Sequence, residues 1–89
     1  MDTEEIVEAM TRIVATHLGD GYSVRLFGSR ASGTHRPGSD YDFMLHGPEK
    51  VPFEKFIAIR QEAANLPTLL KIDVVDQANY PDLKTEEQQ

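Results

Sequence analysis

Three aspartates and one small-residue turn are the residues in this chain whose types and spacing could do chemistry. Asp40 and Asp42 stand in Ser39-Asp40-Tyr41-Asp42, with ten residues between them and the turn Gly28-Ser29. Asp73 interrupts the apolar run Ile72-Asp73-Val74-Val75. Carboxylates are the preferred ligands of hard divalent cations, and a loop of small residues lets backbone N–H groups approach a phosphate closely. The pattern therefore reads as a phosphate cradle beside a metal site. If residues 40–45 form a strand, Asp40 and Asp42 leave from one face, with Cα atoms roughly 7 Å apart at the usual rise. Either half alone would be ordinary, since Gly-Ser is a common strand-ending turn and a pair of acids is often only solvated. Their combination with Asp73 is what carries weight.

The elements that must position these residues follow from the apolar periodicity. Ile6, Val7, Met10, Ile13, Val14 and Leu18 recur at helical spacing, which predicts a helix from Thr3 to about Leu18, with Thr3 as its cap and Glu4 and Glu5 in its first turn. Gly19-Asp20-Gly21 stops it, Tyr22–Phe27 alternates as a strand, and Gly28 ends that strand. Gly33, Pro37 and Gly38 make residues 30–38 a turn, after which Asp40–Leu45 is a second strand closed by Gly47-Pro48. Pro52 suits the first turn of a second helix that carries Phe53, Phe56, Ile57, Ile59 and Ala63 toward the sheet and stops before Pro67. Leu69–Val75 is the third strand, and one helical turn is expected around Asn79-Tyr80-Pro81-Asp82.

Strand parity then separates Asp73 from its neighbours. Ile72 and Val74 share one face while Asp73 and Val75 share the other, so Asp73 is the polar exception in a mostly buried strand. A lone buried carboxylate is strongly disfavoured, and Asp73 must therefore border a cleft or meet a cation. The 30 residues between Asp42 and Asp73 suffice for a loop, a helix and a strand returning beside the second. Tyr41 alternates away from the acids and is expected to pack in the core. His17 ends the first helix, where a cation suits the dipole, and none of His17, His35 and His46 has metal-ligand spacing with another. Zinc is not expected.

Composition narrows the field. With 89 residues, the chain is expected to be one domain spanning 1–89, with an ordered core over about 3–76 and a flexible tail over about 84–89. No apolar run reaches membrane-spanning length, so no membrane association is expected. The acidic start Met1-Asp2-Thr3-Glu4-Glu5 is unlike a secretory signal, and the absence of cysteine fits a cytoplasmic location. A net charge of −6 argues against an extended nucleic-acid surface, so any polyanion must be met locally. The oligomeric state stays open, a homodimer included.

Gly28-Ser29-Arg30-Ala31-Ser32-Gly33, Ser39-Asp40-Tyr41-Asp42 and Ile72-Asp73-Val74-Val75 together resemble the nucleotidyltransferase superfamily that includes DNA polymerase beta, and within it the minimal nucleotidyltransferases. The resemblance covers about residues 3–76. It implies an α/β core with a mixed three- or four-stranded sheet flanked by helices. It also implies Mg²⁺-dependent transfer of a nucleoside monophosphate from a nucleoside triphosphate, ATP being the expected donor, with release of pyrophosphate. By the same resemblance, Asp40, Asp42 and Asp73 are the catalytic and metal-binding residues, with two ions expected. Gly28, Ser29 and Arg30 are nucleotide-binding, and Gly33 shapes the turn. Many such proteins are encoded beside HEPN toxins, which they neutralise, some by attaching AMP to a tyrosine of the toxin. Two other readings stay open: an antitoxin that acts by complex formation alone, and a small-molecule adenylyltransferase. Nothing in the chain resembles a polymerase thumb.

Overall fold

The computed structural model describes residues 1–28 and 40–79. Helix α1 (Thr3–Leu18) begins at a capping box built by Asp2 and Glu5. The Asp2 carboxylate accepts from the Glu5 N–H at 2.8 Å, and the Glu5 carboxylate accepts from the Asp2 N–H at 2.9 Å. The cap is thus Asp2 and not the expected Thr3, because the Asp-x-x-Glu spacing satisfies two orphan donors at once. Thr3 is already helical, and its hydroxyl shares a 2.9 Å hydrogen bond with the Tyr41 hydroxyl. Gly19, at φ +75°, ends the helix in the left-handed region and leads into a single 3₁₀ turn (Gly19–Gly21).

Strands β1 (Ser23–Phe27), β2 (Tyr41–His46) and β3 (Ile72–Asp76) form one sheet in the order β1-β2-β3. The β1–β2 pair is antiparallel and the β2–β3 pair parallel, so the sheet is mixed, as expected. The parallel pair requires a crossover, and helix α2 (Phe53–Ala64) supplies it. Each strand differs by one to three residues from its expected start. The largest difference is in β3, which starts at Ile72 and not at Leu69. There the Thr68 hydroxyl accepts from the Leu70 N–H at 3.2 Å, a local bond that competes with the sheet ladder and leaves Leu69 fully exposed.

Both helices cover one face of the sheet. Ile6, Met10, Ile13 and Val14 of α1 and Ile59 and Ala63 of α2 pack against Phe43, Leu45 and Val74. Tyr41 is buried among them, as its parity predicts, with its ring stacked on Phe43 at 6.4 Å between centroids. Phe53 departs from expectation. It opens α2 and stays 76% exposed, and Ile57 also lies outside the core cluster. The reason is helical phase: Phe56, Ile59 and Ala63 take the sheet-facing stripe, which turns Phe53 and Ile57 onto an adjoining one. The two helices are clasped where α1 ends. His17 pairs with the Glu62 carboxylate, and the Lys55 ammonium donates to the His17 carbonyl at 3.0 Å. His17 therefore serves the helix pair, as read from its position.

One buried acid belongs to the architecture. Asp76, at the end of β3, is 4% exposed. Its carboxylate accepts from the Val51 N–H at 2.8 Å and from the Ala78 N–H at 3.0 Å, and so ties the approach to α2 to the last strand. Asp76→Ala leaves two N–H groups without their acceptor and should cost about 2–3 kcal/mol in a denaturant titration. Faster amide exchange at Val51 and Ala78 should accompany that loss. Unchanged stability would mean that water replaces the carboxylate without cost. A 3₁₀ turn (Gln77–Asn79) follows the strand. No helix among the described residues is long and apolar enough to cross a membrane.

Candidate active site

The sheet register brings two of the three expected acids together. Phe27 of β1 pairs with Asp42 of β2, and Asp42 pairs with Asp73 of β3, so these residues form one row across the sheet. Neighbouring strands lie about 4.8 Å apart, which places the two aspartate Cα atoms at that order of separation. Tyr41, Phe43 and Leu45 carry the helix-covered face, and Asp42 and Asp73 belong to the opposite one. The parity expected of Asp73 holds. Asp40 lies one residue before β2, outside the ladder, and is exposed. Its expected place inside the strand is therefore not observed, because pairing begins where the Tyr41 N–H donates to the Lys71 carbonyl at 2.9 Å.

Gly28 is built into the same corner. It follows the last residue of β1 at φ +75°, a conformation that side-chain-bearing residues rarely adopt. A Cβ placed there would lie 2.8 Å from Oδ2 of Asp42. The glycine thus allows both the left-handed backbone at the end of β1 and the close approach of the Asp42 carboxylate. Ser29, Arg30 and Gly33, and with them the turn over 30–38, His35 and Arg36, lie outside the described residues, as do residues 80–89.

The electrostatics register the crowding. The Asp42 carboxyl is held above its ordinary value of 3.8, first by burial and then by the negative charges of Asp73 and Asp40, while Lys71 opposes the shift. Both Asp73 and Asp40 thus act on Asp42, although only Asp73 shares the ladder with it. Lys71 was not among the residues singled out by motif. Its ammonium stands 3.7 Å from the Asp73 carboxylate, and the signal for it was a cation two residues before an acid on an extended segment. Among the described residues, no three His, Asp or Glu side chains are drawn into a ready-made metal cage. The donor set is nevertheless of the right kind. It consists of hard carboxylate oxygens whose mutual repulsion a divalent cation would relieve.

Comparison with known proteins places this geometry in a family. The family model described as a nucleotidyltransferase domain matches residues 5–88, and the chain belongs to that family. No curated protein matches it closely. The small mixed sheet with its helices is consistent with a nucleotidyltransferase core, and the family works on nucleoside triphosphates and generally with divalent metals.

Proposed function

We propose that this protein is a Mg²⁺-dependent nucleotidyltransferase that moves AMP from ATP to a hydroxyl group, the acceptor being a tyrosine of a HEPN-type toxin that it thereby neutralises in the cytoplasm. The observation that carries this reading is the row that sets Asp42 beside Asp73, with Gly28 against the Asp42 carboxylate. Asp40, Asp42 and Asp73 would hold the ions, two being expected. When bound, these supply charge neutralisation at the triphosphate and stabilise the entering and leaving oxygens of an in-line displacement.

The remaining work falls to the chain. Gly28 leaves room for the triphosphate to approach the backbone, and Ser29 and Arg30 add a hydroxyl donor and a cation to that grip. Asp73 accepts the proton of the acceptor hydroxyl. The acceptor oxygen forms a bond to the α-phosphorus, the bond from that phosphorus to the bridging oxygen breaks, and pyrophosphate leaves with the electron pair.

The test is a mass-shift assay with the full chain, Mg²⁺, each nucleoside triphosphate in turn and the protein encoded next to it. The expected result is one AMP on a partner tyrosine, abolished by EDTA. Absence of transfer from every triphosphate would overturn the reading. The exposure of Phe53 and Leu69 favours a second reading, in which complex formation alone neutralises the partner. A double Asp40→Asn, Asp42→Asn variant that still protects cells from the toxin would decide for it.

A further inference from the structure

A second region adjoins the row of acids. A cleft of about 530 Å³ opens between α2 and the residues that lead into β3, and Asp73 forms part of its wall. Ile57 and Ala64 on the helix and Leu70 opposite give it apolar sides. Arg60 and Lys71 give it two cations, in a chain whose net charge is −6.

The helix presents this lining by design of its spacing. Phe53, Ile57, Arg60 and Ala64 recur at intervals of four, three and four, which puts them on one stripe beside the stripe used by the core. The stripe therefore runs from the exposed Phe53 to the cleft. Arg60 is held in place by its own helix, with its guanidinium carbon 5.8 Å from the centre of the Phe56 ring. No carboxylate among the described residues pairs with it. Lys71 is exposed, and its ammonium stands beside the Asp73 carboxylate.

We infer that the cleft between α2 and β3 binds an acidic segment of the acceptor protein, with Arg60 and Lys71 meeting carboxylates that flank the acceptor hydroxyl. The inference rests on the transfer reading for the role of Asp73, and its occupant follows from charge complementarity. Lys71 offsets Asp73, so the lining keeps the net positive charge of Arg60 on an acidic protein, which favours an anionic partner, and the volume is that of a site for several side chains. Ile57, Ala64 and Leu70 accept the apolar part of the same segment. The segment bound there passes Asp73 at the edge of the sheet, where the acceptor proton is taken.

The test separates binding from transfer. Two fluorescein-labelled peptides with one central tyrosine, flanked in one by glutamates and in the other by lysines, are titrated with the full chain and followed by anisotropy, without nucleotide or metal. The glutamate peptide should bind about tenfold more tightly, against the net charge of the protein, and Arg60→Glu should reverse that order. Lys71→Gln should weaken the glutamate peptide without reversing the order, and amide shifts should centre on Ile57, Arg60, Ala64 and Leu70. Equal affinity for both peptides, no binding, or shifts confined to other elements would overturn the inference. Equally tight binding of free 4-hydroxyphenylacetate would overturn it in favour of a small-molecule acceptor. A dimer in sedimentation that Arg60→Glu dissociates would overturn it in favour of a second copy. Peptide selectivity without AMP transfer would leave the cleft standing and remove the transfer reading. Transfer to the partner that is indifferent to Arg60→Glu would do the reverse.

Discussion

Asp42→Asn should abolish nucleotidyl transfer and, in the absence of metal, make the protein more stable. The activity loss is expected to be about a thousandfold or more, because the substitution removes a carboxylate ligand where transition-state charge is to be met, a deficit of about 4 kcal/mol. The gain in stability follows from the same crowding that suits the site to a cation. Burial and the charges of Asp73 and Asp40 raise the Asp42 pKa above its ordinary value. The folded chain thus holds this proton more tightly than the unfolded chain does. That contribution favours the fold at low pH and is lost as pH rises from the ordinary value through the raised one. At neutral pH the ionised carboxylate works against the fold, and asparagine relieves it. Two thermal melts at neutral pH check this, with and without Mg²⁺. Without metal the variant should melt a few degrees higher than the parent, and Mg²⁺ should raise the parent's melting temperature while leaving the variant's unchanged. A variant that melts lower without metal, or one that Mg²⁺ still stabilises fully, would show that Asp42 is not the focus of the repulsion. Transfer that persists in the variant would show that the chemistry lies elsewhere.

Gly28→Ala should have the next largest effect, and for two separable reasons. The left-handed backbone at φ +75° costs a residue with a side chain about 1–2 kcal/mol. In addition, the new methyl group would lie 2.8 Å from Oδ2 of Asp42, so the carboxylate must move. A misplacement of about 1 Å at a reacting centre costs about a hundredfold in rate, which sets the upper end of the expected loss. The two causes are told apart in an Asp42→Ala background, where the close approach is gone and only the backbone cost remains. There the stability penalty of Gly28→Ala should shrink. Simple additivity of the two substitutions would show that the glycine serves the turn alone and that its nearness to Asp42 carries no energy.

Much of the site was legible in the sequence because it depends on parity and on chain length. Alternation alone placed Asp73 opposite Ile72 and Val74, and the length of the crossover allowed β3 to return beside β2. The register that sets Asp42 opposite Asp73 came from the structure, since neither parity nor length fixes it. Asp40 was misplaced by one residue for a reason that alternation cannot express, since the ladder begins only where the Lys71 carbonyl is available to Tyr41. What escaped sequence reading were contacts between distant residues and choices between equivalent faces. Asp76 lay just past the expected end of the third strand and carried no signal of its own, since its place depends on Val51, which belongs to the other side of the crossover. Phe53 looked like a core residue because its type is apolar, yet the phase of α2 is set by Ile59 and Ala63. Leu69 looked like strand because the run is apolar, and a single threonine hydroxyl diverted it. Lys71 gave a faint local signal that only the position of Asp73 made meaningful.

The parallel ladder that joins Asp42 to Asp73 also sets when, in the life of a chain, those two acids can meet. An antiparallel pair such as β1–β2 forms from nearby segments, and Asp42 can come to rest beside Gly28 as soon as that pair closes. A parallel pair must wait until its crossover has been wound, and loop closure over that span is slow. During synthesis, β3 also leaves the ribosome after everything it pairs with. A chain caught half-folded therefore carries the first acid without the second. Incomplete copies should be silent: they lack the paired carboxylates, and with them the means of acting on a nucleotide before the molecule is whole.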